Sequence, residues 1–313
     1  MSIFISGSAA YDTILEFDGT FAEHASTLEL RGFNLTFQAP RMKRHFGGCA
    51  ANVAYSLKTC GGEPFISCTM GLIDCQSYFQ HLRENGIRVD GIMTVENEYS
   101  PQAFITTDKN GNQLATFHEG AMRLADKAYV SPEEPLTHGI ITSTASHVMK
   151  AHTSFLKARH VPVIWDVGPS AGYLSSEDID WMLEHTDYLT LSEAEWELIQ
   201  QKSSLSKETL LTKFEAIVIT RAQKGCDLIQ KGAVEHFEAL PVESLVNPVG
   251  CGDAFRGGLL RGLSLNWPWK KTIRLAQLMG AIKAQVEAPQ GYRMDKNEVA
   301  HLYECAYHET IEL

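Results

Sequence analysis

From about residue 137 to residue 222 the sequence keeps one rhythm. GIITSTA, VPVIWDVGP, TDYLTLS and EAIVITRA are short apolar runs, separated by polar, helix-like segments such as SFLKARH and SEDIDWMLEH. Strands alternating with helices imply an α/β fold: a mostly parallel central sheet with helices on both faces and ligands at the carboxyl ends of the strands. Asp166, Ser192, Glu195 and Arg221 all fall at or just past such ends.

The N-terminal half reads differently. SIFISGSAAYD opens with an apolar strand ending at Gly7 and Ser8, with Asp12 just beyond. Residues 28–46 are irregular and carry Pro40 and a basic run at Arg41, Lys43 and Arg44, expected to be a solvated face or at most a guide for an anion. FGGCAANVAYSLKTCGG then predicts a helix carrying Val53, Ala54 and Leu57, stopped by Gly61 and Gly62. PFISCTMG reads as a strand, and QAFITTDKNGNQLATFHEG as two strands joined at KNGN. The 313 residues suit one domain, 1–313, with a small β lid built from about 13–40 and 97–119.

A formal charge of −11 argues against broad nucleic-acid binding, which needs a basic face. It leaves room for a phosphorylated small molecule held by backbone amides. Seven scattered cysteines show no Cys-x-x-Cys spacing, so neither a disulfide framework nor a zinc site is expected. No leader-like or membrane-spanning apolar run is present, and a cytoplasmic location is expected.

The chemistry concentrates in VNPVGCGDAFRGGLL, residues 246–260. Phe255, Leu259, Leu260 and Leu263 recur at helical spacing, so Gly250–Asp253 lies where a helix begins. Helix N-termini attract anions. Asp253 is either a simple cap or a general base beside an anion cradle made by the amides of Gly250, Cys251 and Gly252. Cys251 at such a terminus is expected to be a more acidic thiol than usual. A second stretch, RHFGGCAANVAY, places Gly47 and Gly48 where the chain can approach a ligand closely, with Asn52 at a helix start. With Asp12 these polar groups suit a vicinal diol, although a plain turn would also use them.

The two motifs, in this order and about 200 residues apart, resemble those of the ribokinase (PfkB) family of sugar and nucleoside kinases. APRMKRHFGGCAANVAYSLKTCGG, QAFITTDKNGNQLATFHEGAM and DYLTLSEAEWELI look most like bacterial adenosine kinases. The resemblance implies a ribokinase-like fold and ATP- and Mg²⁺-dependent phosphorylation of the 5′-hydroxyl of adenosine. It implies Asp253 as catalytic base, with Gly250, Cys251 and Gly252 as anion hole. Ser8, Asp12, Gly47, Gly48 and Asn52 would hold the ribose, and Phe104 and Phe117 would sandwich the purine, or else simply pack the lid. Ser192, Glu195, Arg221 and Gly225 would lie on the nucleotide side, Glu195 reaching the metal through water. A monovalent cation and a homodimer formed through the lid are further expectations of the resemblance; a nucleic-acid or membrane partner is not.

Four positions depart from the family pattern. Asn247 stands for Asp, Val249 for Thr, Ser192 for Asn and Ala222 for Gly, all on the nucleotide and metal side. Two other readings therefore stay open: a kinase for a free sugar such as ribose or fructose, and a nucleoside-binding protein with weakened catalysis.

Overall fold

The computed structural model describes residues 1–25, 36–128, 130, 131 and 133–313. In chain order its strands are β1 (Ser2–Ser6), β2 (Ala10–Glu16), β3 (Arg41–Gly47), β4 (Pro64–Gly71), β5 (Ile92–Val95), β6 (Gln102–Thr107), β7 (Gln113–His118), β8 (Leu136–Ile141), β9 (Val163–Asp166), β10 (Tyr188–Ser192), β11 (Ala216–Thr220), β12 (Cys226–Gln230) and β13 (Ala233–Phe237). The helices are α1 (Phe21–Ala25), α2 (Cys49–Thr59), α3 (Gln76–Glu84), α4 (Ser146–Ala158), α5 (Ser176–His185), α6 (Glu193–Lys202), α7 (Lys207–Lys213), α8 (Cys251–Ser264), α9 (Trp269–Ala284) and α10 (Lys296–Tyr307).

Among the described residues, the larger sheet runs β13-β12-β11-β10-β9-β8-β1-β4-β5. It is parallel from β5 to β11 and antiparallel only at β11, β12 and β13. Strands β1, β4, β9 and β11 are almost wholly buried because both faces are covered, whereas the edge strand β13 is exposed. In β1, Ile3 and Ile5 enter one hydrophobic cluster with Val53, Leu57 and Leu260, while Phe4 enters the other with Trp165 and Leu189. Period-two alternation thus divides a single strand between two cores. Strand order reverses beside β1, and an open α/β sheet binds its ligands at such a reversal.

The smaller sheet runs β3-β2-β6-β7. The KNGN hairpin is present: the Asp108 carboxylate accepts the amides of Asn110 and Asn112, each at 2.9 Å, and closes the turn between β6 and β7. The sheet differs from expectation at β3, which falls in the segment read as irregular. Its basic residues are held by carboxylates: Arg41 pairs with Glu16 at 2.6 Å and Asp18 at 2.7 Å, and Lys43 with Glu287 at 2.6 Å. These cations are exposed, so the run is a solvated face, as expected, laced with surface ion pairs. Residues 26–35, part of the segment assigned to the lid, lie outside the described residues.

Candidate active site

Two helix N-termini meet at the strand-order reversal. Helix α2 follows Gly48, whose φ of +91° is costly for any residue bearing a Cβ; a Cβ there would also lie 2.6 Å from Ser8 O. The buried Ser8 caps this helix, its Oγ accepting the Cys49 amide at 3.2 Å and its carbonyl the Ala51 amide at 3.2 Å. Helix α8 follows Gly250, held in the left-handed region at φ 82°. The helices are tied together by Ser56 Oγ, which donates to Ala254 O at 2.8 Å.

This packing carries Asn52 to Asp253. The Asn52 Nδ2 donates to Asp253 Oδ2 at 2.8 Å, leaving Asp253 Oδ1 without a hydrogen-bond partner among the described residues and able to accept a proton. Burial pushes the Asp253 carboxyl up, whereas the Asn52 hydrogen bond and the Arg256 guanidinium pull it down. Asp12, on β2, has no hydrogen-bond partner among the described residues; burial, assisted by the charge of Asp253, raises it to about 6. Gly47 lies against it, and a Cβ there would stand 2.3 Å from Asp12 Oδ2. Asp12, Gly47, Gly48, Asn52 and Asp253 are therefore brought together.

The anion cradle differs in one member. The Cys251 amide donates to Pro248 O at 3.2 Å, because left-handed Gly250 folds the preceding segment into a turn. The amides of Gly250, Gly252 and Asp253 have no protein acceptor among the described residues and form the open part of the cradle. The Cys251 thiol also reverses expectation: burial raises its pKa above the ordinary cysteine value, only partly offset by Lys283.

On the nucleotide side, Ser192 and Glu195 form a capping box at the start of α6. Ser192 N donates to Glu195 Oε2 at 2.7 Å, and Glu195 N donates to Ser192 Oγ at 3.3 Å. The second carboxylate oxygen of Glu195 has no hydrogen-bond partner among the described residues. Among the described residues no cluster of three or more His, Cys, Asp or Glu is placed to hold a metal ion. Arg221 is engaged by Asp227 at 2.9 Å and by Glu193, so its guanidinium is anchored to protein. Gly225, at φ +88°, closes the turn from β11 to β12.

A monovalent cation fits less well. The fully buried Lys283 donates from its ammonium to Asn247 O and Val286 O, each at 2.9 Å, and so already occupies these carbonyl acceptors. The Asn247 amide bridges the same two segments. Its Oδ1 accepts the Val249 amide at 2.9 Å and its Nδ2 donates to Glu287 O at 2.9 Å. A carboxylate could not make that donation, which gives one of the departures from the family pattern a structural role.

The phenylalanines are not brought together. Asp12 pairs with Ala103 and Ala103 with Phe117, whereas Thr13 pairs with Phe104 and Phe104 with Thr116. Directly paired residues share a face and neighbours alternate, so Phe117 lies on the Asp12 face and Phe104 on the opposite one. The expected two-ring sandwich is corrected by this register. Sequence reasoning also missed Arg256, Tyr78, His81, Lys283 and Gln290. Only Arg256, three residues past Asp253, lay close enough in sequence to be noticed. A cavity of about 690 Å³ lined by Tyr55, His81, Gln290 and Arg293 lies apart from Asp12 and Asp253.

Residues 21–296 match the model of the pfkB family of carbohydrate kinases. The chain belongs to that family. The nucleoside kinase of Burkholderia thailandensis, solved in complex with inosine, superposes with a TM-score of 0.88 at 33% identity, over 98% of this chain and 99% of that one. The nucleoside kinase of Methanothermobacter thermautotrophicus is 25% identical over 93% of this chain and 92% of its own length. A fructokinase from Escherichia coli is 26% identical over 75% of this chain and 84% of its own. The ribokinase-like fold of this PfkB member is the one its sequence implied. No helix among the described residues is long and apolar enough to cross a membrane.

Proposed function

We propose that this PfkB kinase transfers the γ-phosphoryl group of ATP to the 5′-hydroxyl of a purine nucleoside, with adenosine as substrate and AMP as product. The observation that carries the reading is Asp253, held through Oδ2 by Asn52 with Oδ1 free, at a helix N-terminus with three open amides. Asp253 Oδ1 takes the hydroxyl proton as that oxygen attacks the γ-phosphorus, and ADP leaves. The amides of Gly250, Gly252 and Asp253 stabilise charge on the phosphoryl oxygens. Mg²⁺, when bound, would supply charge neutralisation on the triphosphate, and Glu195 would be the residue that holds it through water.

Asp12 and the second N–H of Asn52 bind the ribose diol, and Phe117 stacks on the base from the Asp12 face. Similarity to proteins named nucleoside kinases, one solved with inosine, supports a purine nucleoside. The smaller sheet acts as the lid. Its opposite face exposes Met42, Phe104 and Leu114, which a second copy of the chain would cover in a homodimer. Similarity to fructokinases favours a second reading, a free sugar as acceptor. ATP consumption measured across adenosine, inosine, other nucleosides, ribose and fructose tests both. AMP formed from adenosine supports the first reading; turnover of free sugars alone replaces it with the second.

A further inference from the structure

The candidate base is reached by a chain of side chains that none of the motifs contains. Tyr78 donates its hydroxyl hydrogen to Gly47 O at 2.5 Å. A backbone carbonyl only accepts, so the direction of this bond is fixed, and the Tyr78 oxygen must accept from its other neighbour. That neighbour is Gln290, 3.0 Å away, which therefore turns its NH₂ towards Tyr78. The same NH₂ donates to Asn52 Oδ1 at 2.9 Å, so Asn52 presents its own NH₂ to Asp253 Oδ2 at 2.8 Å. At the other end, Gln290 Oε1 faces His81 Nε2 at 2.9 Å, which puts a proton on that ring nitrogen. One carbonyl of the glycine pair thus sets the polarity of every link.

The chain is held rigidly. Tyr78, Asn52 and Gln290 are buried. The His81 ring is stacked on Phe46 at 4.1 Å with 11° between planes, and lies nearly parallel to Tyr55. Partners come from α2, α3, α8 and the turn after α9, so no single element could orient the Asn52 amide alone.

We propose that Gln290 and His81 are positioning residues for phosphoryl transfer, which lock the Asn52 amide with its nitrogen towards Asp253. The inference rests on Asp253 as the base. A carboxylate oxygen accepts only; an Asn52 turned over would set its carbonyl oxygen against that carboxylate and misplace the free Oδ1. Without Gln290, only the Asp253 carboxylate itself selects between the two orientations, and Asn52 Oδ1 loses its donor.

The test is a double-mutant cycle read as kcat at saturating nucleoside and ATP. Gln290→Met lowers kcat about tenfold, as expected for a misoriented catalytic group. His81→Phe, which keeps the stacking, lowers it about threefold. In an Asn52→Leu background, neither change lowers kcat further, because the chain has lost its terminus. A role confined to packing would instead multiply the losses. Should Gln290→Met fail to fold, Gln290→Glu keeps the shape and removes the donors, and is expected to show the same loss. Wild-type kcat in both folded variants, or full multiplicative losses with Asn52→Leu, overturns the proposal. Asp253→Asn in the same assay separates the two readings. If it retains most activity, the base assignment itself falls; if it loses activity while Gln290 and His81 variants do not, only the relay falls.

Discussion

Arg256 Nε lies 2.6 Å from Asp166 Oδ1, and both side chains are more than nine-tenths buried. The pair joins the carboxyl end of β9 to the second turn of α8, the helix that begins with the candidate base. The guanidinium N–H is not aimed along the contact, so the pair is held by charge more than by an aligned hydrogen bond. Burial raises Asp166 to about 7, against the lowering pull of Arg256.

Removing one partner of such a pair strands a buried charge. Asp166→Leu, which leaves the buried Arg256 guanidinium without this partner, is expected to destabilise the protein by about 3–5 kcal/mol, and adding Arg256→Met to recover much of that loss. Urea unfolding of both variants checks this. An Asp166→Leu variant as stable as wild type would show that Asp253 and Glu195 compensate the Arg256 charge without Asp166.

Asp12 makes stability depend on pH in a defined direction. Its folded pKa of about 6 stands above the ordinary 3.8, so the folded state holds the proton more tightly than the unfolded chain does. Stability from this group is complete below about pH 4 and is lost as pH rises through about 6. Asp12→Asn lacks the titration, so its Tm relative to wild type should rise between pH 4 and pH 7 in the ligand-free protein, then level off. A difference that is flat with pH would contradict the buried, unpaired environment assigned to Asp12.

How far the site was legible follows from where each signal lies in the chain. The strand and helix rhythm after residue 137 could be read because apolar periodicity is local, and Gly250–Asp253 because a glycine-rich helix start is contained in a few residues. Strand β3 could not: RMKRHFG has no apolar alternation, and its cations are compensated by Glu16, Asp18 and Glu287, the last more than 240 residues away. Gln290 reaches Asn52 across 238 residues, and nothing in the sequence around it marks a polar role. The faces of Phe104 and Phe117 were recoverable in principle. A hairpin closed at 108–112 pairs Thr107 with Gln113, and counting outward puts the two rings on opposite sides.

Lys283 bears on the expected cation. A buried ammonium bridging Asn247 O and Val286 O does the work of an ion between the segment entering the cradle and the segment leading to Gln290. Wild-type activity should therefore be independent of added potassium. Lys283→Met should lose about tenfold in kcat, through misplacement of the cradle, with a smaller change in nucleoside KM. Added potassium or ammonium should restore part of that loss. Strong potassium dependence of the wild type would show that Lys283 leaves room for an ion.

The register of the smaller sheet gives the sharpest test of what the lid recognises. Phe117 shares a face with Asp12, and Phe104 does not. Both rings are about half exposed, so neither is fixed by the core, and truncating either should cost little stability. Base stacking on an aromatic ring contributes about 1–3 kcal/mol, so Phe117→Leu should raise the KM for adenosine about tenfold or more with kcat little changed. Phe104→Leu should leave that KM within about twofold of wild type, since its ring faces away from the ribose-binding groups. If the acceptor is a free sugar instead, no base is present to stack, and Phe117→Leu should leave the sugar KM unaltered. Steady-state kinetics of both variants with adenosine, ribose and fructose therefore distinguish the purine assignment from the sugar assignment. Equal KM increases from the two substitutions would mean that both rings reach the nucleoside, which a single smaller sheet with this pairing does not permit.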